Sequence, residues 1–247
     1  MRELFISNER KKSMIRGTGI QYIPGHIEPF VDLILNNYLP EEKDHILDLG
    51  GGGLRFAIPV AALKRKITVV DLDSTGTEYD LIIQRIKEIG HVETPDVKLI
   101  RSFIHIENCN CFDYLERTTL RFSLITAFRL IHFFNEEEVV RFFKLVSRRL
   151  VTNGILAVSA FSANNTDDNS INDIYLNSEP VKNSHLYRKF LDNSIALEIR
   201  KSQNLGKYFH VFTGEYLKDM GEKVKLKIVK SELISTRIVK GYVFIKE

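Results

Sequence analysis

The chain has 247 residues, of which 44% are hydrophobic and 27% charged, and its formal net charge is +3. This is the composition of a soluble globular protein with enough apolar content for one well-filled core, and it excludes collagenous, low-complexity and disulfide-stapled classes. The charge is too mild to imply a nucleic-acid surface by itself, and no window reaches the ~18 consecutive apolar residues of a membrane span.

In chain order, an N-terminal arm over residues 1–24 leads into an apolar helix from about Ile27 to Leu39. The next segment, HILDLGGGGLRF at 45–56, is the most informative in the chain. Ile46, Leu47 and Leu49 read as a short buried strand, Asp48 stands at its end, and Gly50 to Gly53 follow. Glycines there let the backbone turn tightly and approach a ligand where a side chain would collide. An apolar helical pattern resumes from Phe56 to Leu63, so the turn lies between a strand and a helix, with backbone amides available to a cofactor.

The dinucleotide pattern G-x-G-x-x-G needs a small third residue, and the two registers place Arg55 or Phe56 there. Asp48 would also repel a pyrophosphate, whereas a ligand bearing an ammonium and a sulfonium would be attracted to it. No G-K-[ST] follows, so the Walker pattern fails as well.

The spacing of Asp48, Gly50 and Gly52 resembles the first motif of the class I S-adenosylmethionine-dependent methyltransferases, D/E-x-G-x-G-x-G. The motif's last glycine falls on Leu54, a departure that the additional Gly51 and Gly53 offset. The resemblance implies a seven-stranded, mostly parallel, Rossmann-like α/β sandwich. It implies S-adenosylmethionine as methyl donor and S-adenosylhomocysteine as product.

A second strand, KITVVD at 66–71, ends in Asp71, where a carboxylate can accept hydrogen bonds from both ribose hydroxyls. The resemblance makes Asp71 the ribose ligand and puts Leu72 beside the adenine. Thr75 and Glu78 form a capping box that opens a helix over Tyr79–Ile89, stopped by Gly90. Phe103–Glu107 is the third strand, and the following CNCFDYL resembles the family's adenine-binding turn. Asn110 stands at the place of that turn's Asp and Cys111 would offer its backbone amide, although an asparagine here is also an ordinary turn residue.

Residues 122–134, FSLITAFRLIHFF, resemble the family's fourth motif, with Ser123 where the family has Asp and supports the loop from outside the site. The resemblance adds Gly51, Phe128 and Arg129 to the donor-binding residues; Arg129 would hold an acidic substrate or the donor's carboxylate. His132 is nearest in sequence to the expected methyl position and is the candidate base, against the alternative of a packed core histidine. Asn135 and Glu138 form a capping box, and Val139, Val140, Phe143, Val146 and Leu150 give the next helix a core face. A turn at Thr152–Gly154 then enters the strand ILAVSAF.

Residues 162–212 form a lid-like insertion: a polar run, SANNTDDNSIND, then an amphipathic segment from Tyr187 to Ile199. A loop beyond ~15 residues in a compact domain is usually a functional lid or disordered. Its position after the fifth strand makes Tyr187, Arg188, Tyr208 and His210, with Tyr22 of the arm, the candidate substrate contacts, and Tyr208 and His210 candidate catalytic groups. Toward the end, a helix over Glu215–Met220 is capped by Gly221, and Lys225–Ile234 and Tyr242–Lys246 pair as a hairpin. Lys223, Lys225 and Lys227 alternate with Val224, Leu226 and Ile228, a strand with one solvated face, with a phosphate-binding stripe as the alternative.

Together these readings describe a single domain over 1–247 that methylates an O, N or C atom of a small molecule, with specialised metabolism as a setting. RNA or protein methylation, or donor binding without catalysis, are the alternatives. No metal site is expected, because the histidines are dispersed and Cys109 and Cys111 are too few for zinc. With no apolar run of a secretory leader in MRELFISNERKK and no disulfide framework, a cytoplasmic setting is expected.

Overall fold

Buried on both faces, Ile46–Leu49 forms β1, the centre of a seven-stranded sheet. In this computed structural model the described residues are 29–41, 43–72, 97–162, 175–181, 184–203, 208–234 and 239–247. The elements of the main layer are α1 (Pro29–Asn37), β1, α2 (Ala57–Ala62), β2 (Ile67–Asp71), α3 (Val97–Ser102), β3 (Ile104–Asn108), α4 (Cys111–Arg117), β4 (Phe122–Phe128), a 3₁₀ turn (Ile131–Phe133), α5 (Glu136–Arg149) and β5 (Leu150–Phe161). An insertion supplies β6 (Ser178–Val181), β7 (Ser184–Phe190), α6 (Ser194–Gln203) and β8 (Tyr208–His210). The chain then closes with α7 (Gly214–Glu222), β9 (Leu226–Leu233) and β10 (Val239–Lys246).

The sheet order is β3-β2-β1-β4-β5-β10-β9. β1 pairs parallel with β2 and β4, β2 with β3, and β4 with β5, whereas β10 runs antiparallel to both of its neighbours. Strand order therefore reverses beside β1: the chain goes outward through β2 and β3, then crosses back to β4. In open α/β sheets the crevice at such a reversal, at the carboxyl ends of the strands, is where ligands bind. Gly50 at the end of β1 and Arg129 after β4 flank it.

Alternation along each strand divides the core into two layers. Ile46, Val69, Leu124 and Ala157 face the side of α1 and α2, while Leu47, Val70, Ile125 and Leu156 face α4, α5 and α7. Helix α5 carries the predicted capping box: Asn135 Oδ1 accepts from Glu138 N at 2.9 Å, and Glu138 Oε2 accepts from Asn135 N at 2.8 Å. Glutamates at 136–138 and arginines at 148 and 149 complement its dipole. Val139, Phe142, Phe143, Leu145 and Val146 are its buried face, with Val140 half-buried.

Several expectations need correction. No turn separates α5 from β5; the strand begins at Leu150 directly after the helix, and Asn153 takes a left-handed φ of 61° within it. Gly221 is not a cap but lies inside α7, and packing explains it: a Cβ there would stand 2.5 Å from Leu226 O and 2.9 Å from Phe244 Cε1. Lys223–Lys225 is a turn, so the lysine alternation starts only at β9, the edge of the sheet, where Lys227 and Lys230 are exposed. Tyr187–Ile199 is not one amphipathic segment but the end of β7 followed by α6. The third strand is displaced by one residue and the first helix ends at Asn37, two residues before Leu39, while that helix's expected start at Ile27, the Tyr79–Ile89 helix, its Thr75–Glu78 box and the 1–24 arm with Tyr22 lie outside the described residues.

The insertion carries its own three-stranded antiparallel sheet, β6-β7-β8. Its base is closed by a bridge between Ser162 and Phe212, with Phe212 N donating to Phe161 O at 2.7 Å. Phe190, Ala196, Phe209 and Val211 join the same buried cluster as Phe30 and Phe161. The described part of the insertion is thus packed onto the core, with β8 against the 3₁₀ turn at the carboxyl end of β4.

Candidate functional site

The site is built from the turn after β1 outward. Gly50 adopts φ +72°, a conformation that disfavours any side chain, and its N–H donates to Val70 O at 2.8 Å, extending the pairing with β2. A Cβ on Gly51 would press on the Asp48 carboxylate and stand 2.7 Å from Val69 Cγ1. A Cβ on Gly52 would stand 2.9 Å from Asp71 Oδ2, the oxygen that accepts from Gly52 N at 2.8 Å. The glycines therefore keep two carboxylates close to a bare stretch of backbone. Leu54, where the motif has its last glycine, takes φ +56° and is fully buried. The left-handed turn the motif requires is thus made here by a leucine, whose burial offsets a conformational cost of about 1–2 kcal/mol.

Asp48 is 3% exposed, and Thr126 Oγ1 donates to its Oδ1 at 2.7 Å. Burial pushes its carboxyl up to about 7, against the lowering effect of the Thr126 hydrogen bond, and nearby Asp71 adds to the rise. The register that pairs Asp48 with Thr126 across β1 and β4 sets this contact. Thr126 went unmarked in the sequence, where the one signal was a hydroxyl inside an otherwise apolar strand. Ser123 stands instead near the amino end of β4, where its N–H donates to His45 O at 3.0 Å. It is at the far end of the strand from the glycine turn and does not support that turn.

Asp71 ends β2 half-buried, and Leu72 beside it is 71% exposed. The Asp71–Leu72 backbone is held from β3: Cys109 N donates to Asp71 O at 3.1 Å. With its amide nitrogen turned toward them, Asn108 donates to Asp71 O at 3.1 Å and Leu72 O at 2.9 Å. Asn110 is the N-cap of α4, its Oδ1 accepting from Phe112 N at 2.8 Å, so the ordinary turn reading accounts for that bond. Cys111 is the first residue of α4, its thiol pushed up to about 12 by burial.

At the end of β4 the Phe128 ring packs edge-on against Phe30 and Phe56, with centroids 5.8 and 5.4 Å away, in the core. Arg129 follows with φ +51° and is 9% exposed, and its N–H donates to both Ser159 O (2.9 Å) and Ser159 Oγ (3.1 Å). A non-glycine residue held left-handed by a neighbouring strand is the kind of stored strain found at functional turns. Leu130 lies over Gly50. His132 is buried against Phe161, ring centroids 4.8 Å apart, and burial with the Arg129 charge pulls it down to about 3, so the imidazole is neutral. Its Nδ1 is buried and has no hydrogen-bond partner among the described residues.

The insertion presents His210, fully buried, with Nδ1 3.1 Å from Phe134 O. Because a carbonyl can only accept, Nδ1 carries the proton and Nε2 the lone pair. Tyr208 is 44% exposed and stacks on Tyr187 at 6.1 Å. Arg188 departs from expectation: Nε donates to Ser178 Oγ, Nη2 to Ser178 O and Tyr175 O, and the guanidinium lies 4.3 Å from the Tyr175 ring. It braces the small sheet internally instead of facing a substrate.

Compared by sequence, the chain matches no protein-family model and no curated protein. Compared by structure, it is similar to S-adenosylmethionine-dependent methyltransferases. One from Methanosarcina mazei superposes with a TM-score of 0.60 at 18% identity, over 86% of this chain and 96% of that one. The CcbJ methyltransferase of Streptomyces caelestis gives 0.58 at 14% identity, over 88% and 94%. The 1,6-didemethyltoxoflavin-N1-methyltransferase of Burkholderia thailandensis, whose structure holds 1,6-didemethyltoxoflavin and S-adenosylhomocysteine, gives 0.55 at 14% identity, over 87% and 76%. With its sheet order, its reversal beside β1 and its glycine turn, the chain has the Rossmann-like fold of the class I S-adenosylmethionine-dependent methyltransferases.

Proposed function

We propose that the protein transfers a methyl group from S-adenosylmethionine to a small-molecule acceptor. The observation that carries this reading is the bare turn at Gly50–Gly52, at the topological reversal, with the Asp48 and Asp71 carboxylates close beside it. Those residues fit the donor. The Asp71 carboxylate, oriented by Gly52, is of the type that accepts hydrogen bonds from ribose hydroxyls. Leu72 offers an apolar surface to the adenine, and Asp48 offers negative charge to the amino-acid end. Asn110 and Cys111 would border the base, and Arg129 would stand beside the methionine end or the acceptor.

The donor supplies an activated methyl group, so the protein's task is to align two partners and remove a proton. His132, neutral and buried beside the carboxyl end of β4, offers an unpartnered Nδ1 that can accept a hydrogen bond from the acceptor, while burial and the Arg129 charge, which hold its imidazole at about 3, make it a weak base, so the proton passes on to solvent. A small acceptor is supported by the small sheet packed at the carboxyl ends of the strands and by the mild net charge. The test is incubation with methyl-labelled S-adenosylmethionine and a fractionated cell extract. Label in the small-molecule fraction is the expected result. Label confined to RNA or protein, or none in any fraction while the donor is bound, would contradict the reading.

A further inference from the structure

Cys109 and Cys111 are the two cysteines of the chain, on either side of Asn110 where β3 passes into α4. Both are free and half-buried, and both pack against the same hydrophobic layer, the one that holds Phe112, Leu115 and Phe134. Asn110 between them has φ −64° and ψ 137°, close to polyproline geometry. Two steps of about 3.1 Å along such a backbone separate the cysteine α-carbons by about 6 Å. That lies inside the roughly 4.4–6.8 Å that a disulfide spans, toward its upper end.

The surroundings of the two sulfurs differ. Arg117 Nη2 donates to Cys109 Sγ at 3.4 Å while also pairing with Glu107 at 2.6 Å. A partly exposed sulfur beside a guanidinium is the setting of a thiol that reacts first. Burial, and after it the charges of Glu138 and Cys109, push the Cys111 thiol up to about 12. A thiol of that kind is a poor leaving group, so a bridge to it, once closed, is slow to reopen by expelling it.

We infer that Cys109 and Cys111 are a redox-modification site, a dithiol that a low-molecular-weight disulfide converts into a Cys109–Cys111 bridge, loosening the Asn110 turn and weakening the donor cradle. In the first step Cys109 gives its proton to solvent and its sulfur attacks the reagent, forming a mixed disulfide and releasing one reagent thiolate. In the second, Cys111 gives up its proton and attacks the Cys109 sulfur, releasing the other thiolate. The two protein thiols lose two electrons and the reagent leaves as two thiols. Closing the bridge draws the α-carbons together across Asn110. It therefore competes with the Asn110 cap on Phe112 N at 2.8 Å and with the bond from Cys109 N to Asp71 O at 3.1 Å, the one that ties this turn to β2. The effect on the donor rests on the methyl-transfer reading, whereas the bridge itself rests on the cysteines alone.

The test equilibrates the full chain with mixtures of reduced and oxidised glutathione, quenches with acid and counts free thiols by N-ethylmaleimide labelling and intact mass. A monomer two hydrogens lighter that takes up no maleimide, and regains both thiols with dithiothreitol, is expected. Two free thiols even in fully oxidised glutathione, mixed disulfides only, or dimers linked chain to chain would overturn the inference. S-adenosylhomocysteine is then titrated into the reduced and bridged forms. The bridged form is expected to bind it on the order of tenfold more weakly, with dithiothreitol restoring the affinity, and bound S-adenosylhomocysteine should by linkage shift the bridging midpoint toward oxidised glutathione by the same factor. Equal affinity of the two forms would overturn the link to the cradle. A chain that forms the bridge but binds S-adenosylhomocysteine in neither form would remove the donor reading and leave the modification site standing.

Discussion

Asp71 Oδ2 accepts a hydrogen bond from the backbone N–H of Gly52 at 2.8 Å, so the tip of the second strand is tied to the turn after the first. The bond fixes both halves of the donor cradle at once: it orients the carboxylate and restrains a loop in which glycine costs conformational entropy. Replacing Gly52 by valine should drive that carboxylate away, because the new Cβ would stand 2.9 Å from the same oxygen. We expect the valine variant to fold and to lose S-adenosylhomocysteine binding in calorimetry. Undiminished affinity would mean that the turn is not part of the site.

Asp48 makes the site sensitive to pH. Its carboxyl is raised from 3.8 to about 7, chiefly by burial, so the folded protein holds this proton more tightly than the unfolded chain. The stability it contributes is complete below about 3.8 and is lost as pH rises through about 7. Asp48→Asn keeps an acceptor for Thr126 and should flatten the stability profile of the ligand-free protein over that window, as measured by urea unfolding. A cationic ligand end prefers ionised Asp48, so donor affinity should climb through the same range in the wild-type protein and not in the variant. Parallel profiles for the two proteins would refute the assignment.

Helix α5 places the 3₁₀ turn and His132 by anchoring the chain immediately after them. Its reciprocal cap predicts that Asn135→Ala costs about 1 kcal/mol, within a range of roughly 0.5–2, in denaturant unfolding. An unchanged midpoint would indicate that the cap is not formed.

Gly221 offers a test of packing against propensity. Alanine inside an ordinary helix would stabilise by about 1 kcal/mol relative to glycine. Here its Cβ would meet Leu226 O at 2.5 Å and the Phe244 ring at 2.9 Å. Overpacking of this kind costs roughly 1–3 kcal/mol, so Gly221→Ala should destabilise on balance. A stabilised variant would show that α7 is free to move away from β9 and β10.

The sequence made the strand–turn–helix around Gly50, the acid at Asp71 and the box at Asn135 legible because each is local: a few adjacent residues determine it. Gly221 was misread as a cap because its true constraint comes from residues in other strands. Thr126 was missed for the same reason, since its partner Asp48 is 78 positions away and only the β1–β4 register joins them. The sequence offers Arg188 as a substrate contact, but the pairing of β6 with β7 brings Ser178 within its reach. Leu54 shows the reverse case: the departure from the glycine pattern was visible, but its backbone still takes the left-handed turn because burial holds the side chain.

The central claim, that an adenosyl sulfonium ligand sits over the Gly50 turn with its ribose on Asp71, is tested most directly by titrating S-adenosylhomocysteine into the wild-type protein and Asp71→Ala. The account predicts saturable wild-type binding and a loss of about 1.5–3 kcal/mol in the variant, the range for a hydrogen bond to a charged group. Wild-type protein that ignores this compound, or an alanine variant that binds it equally well, would contradict it.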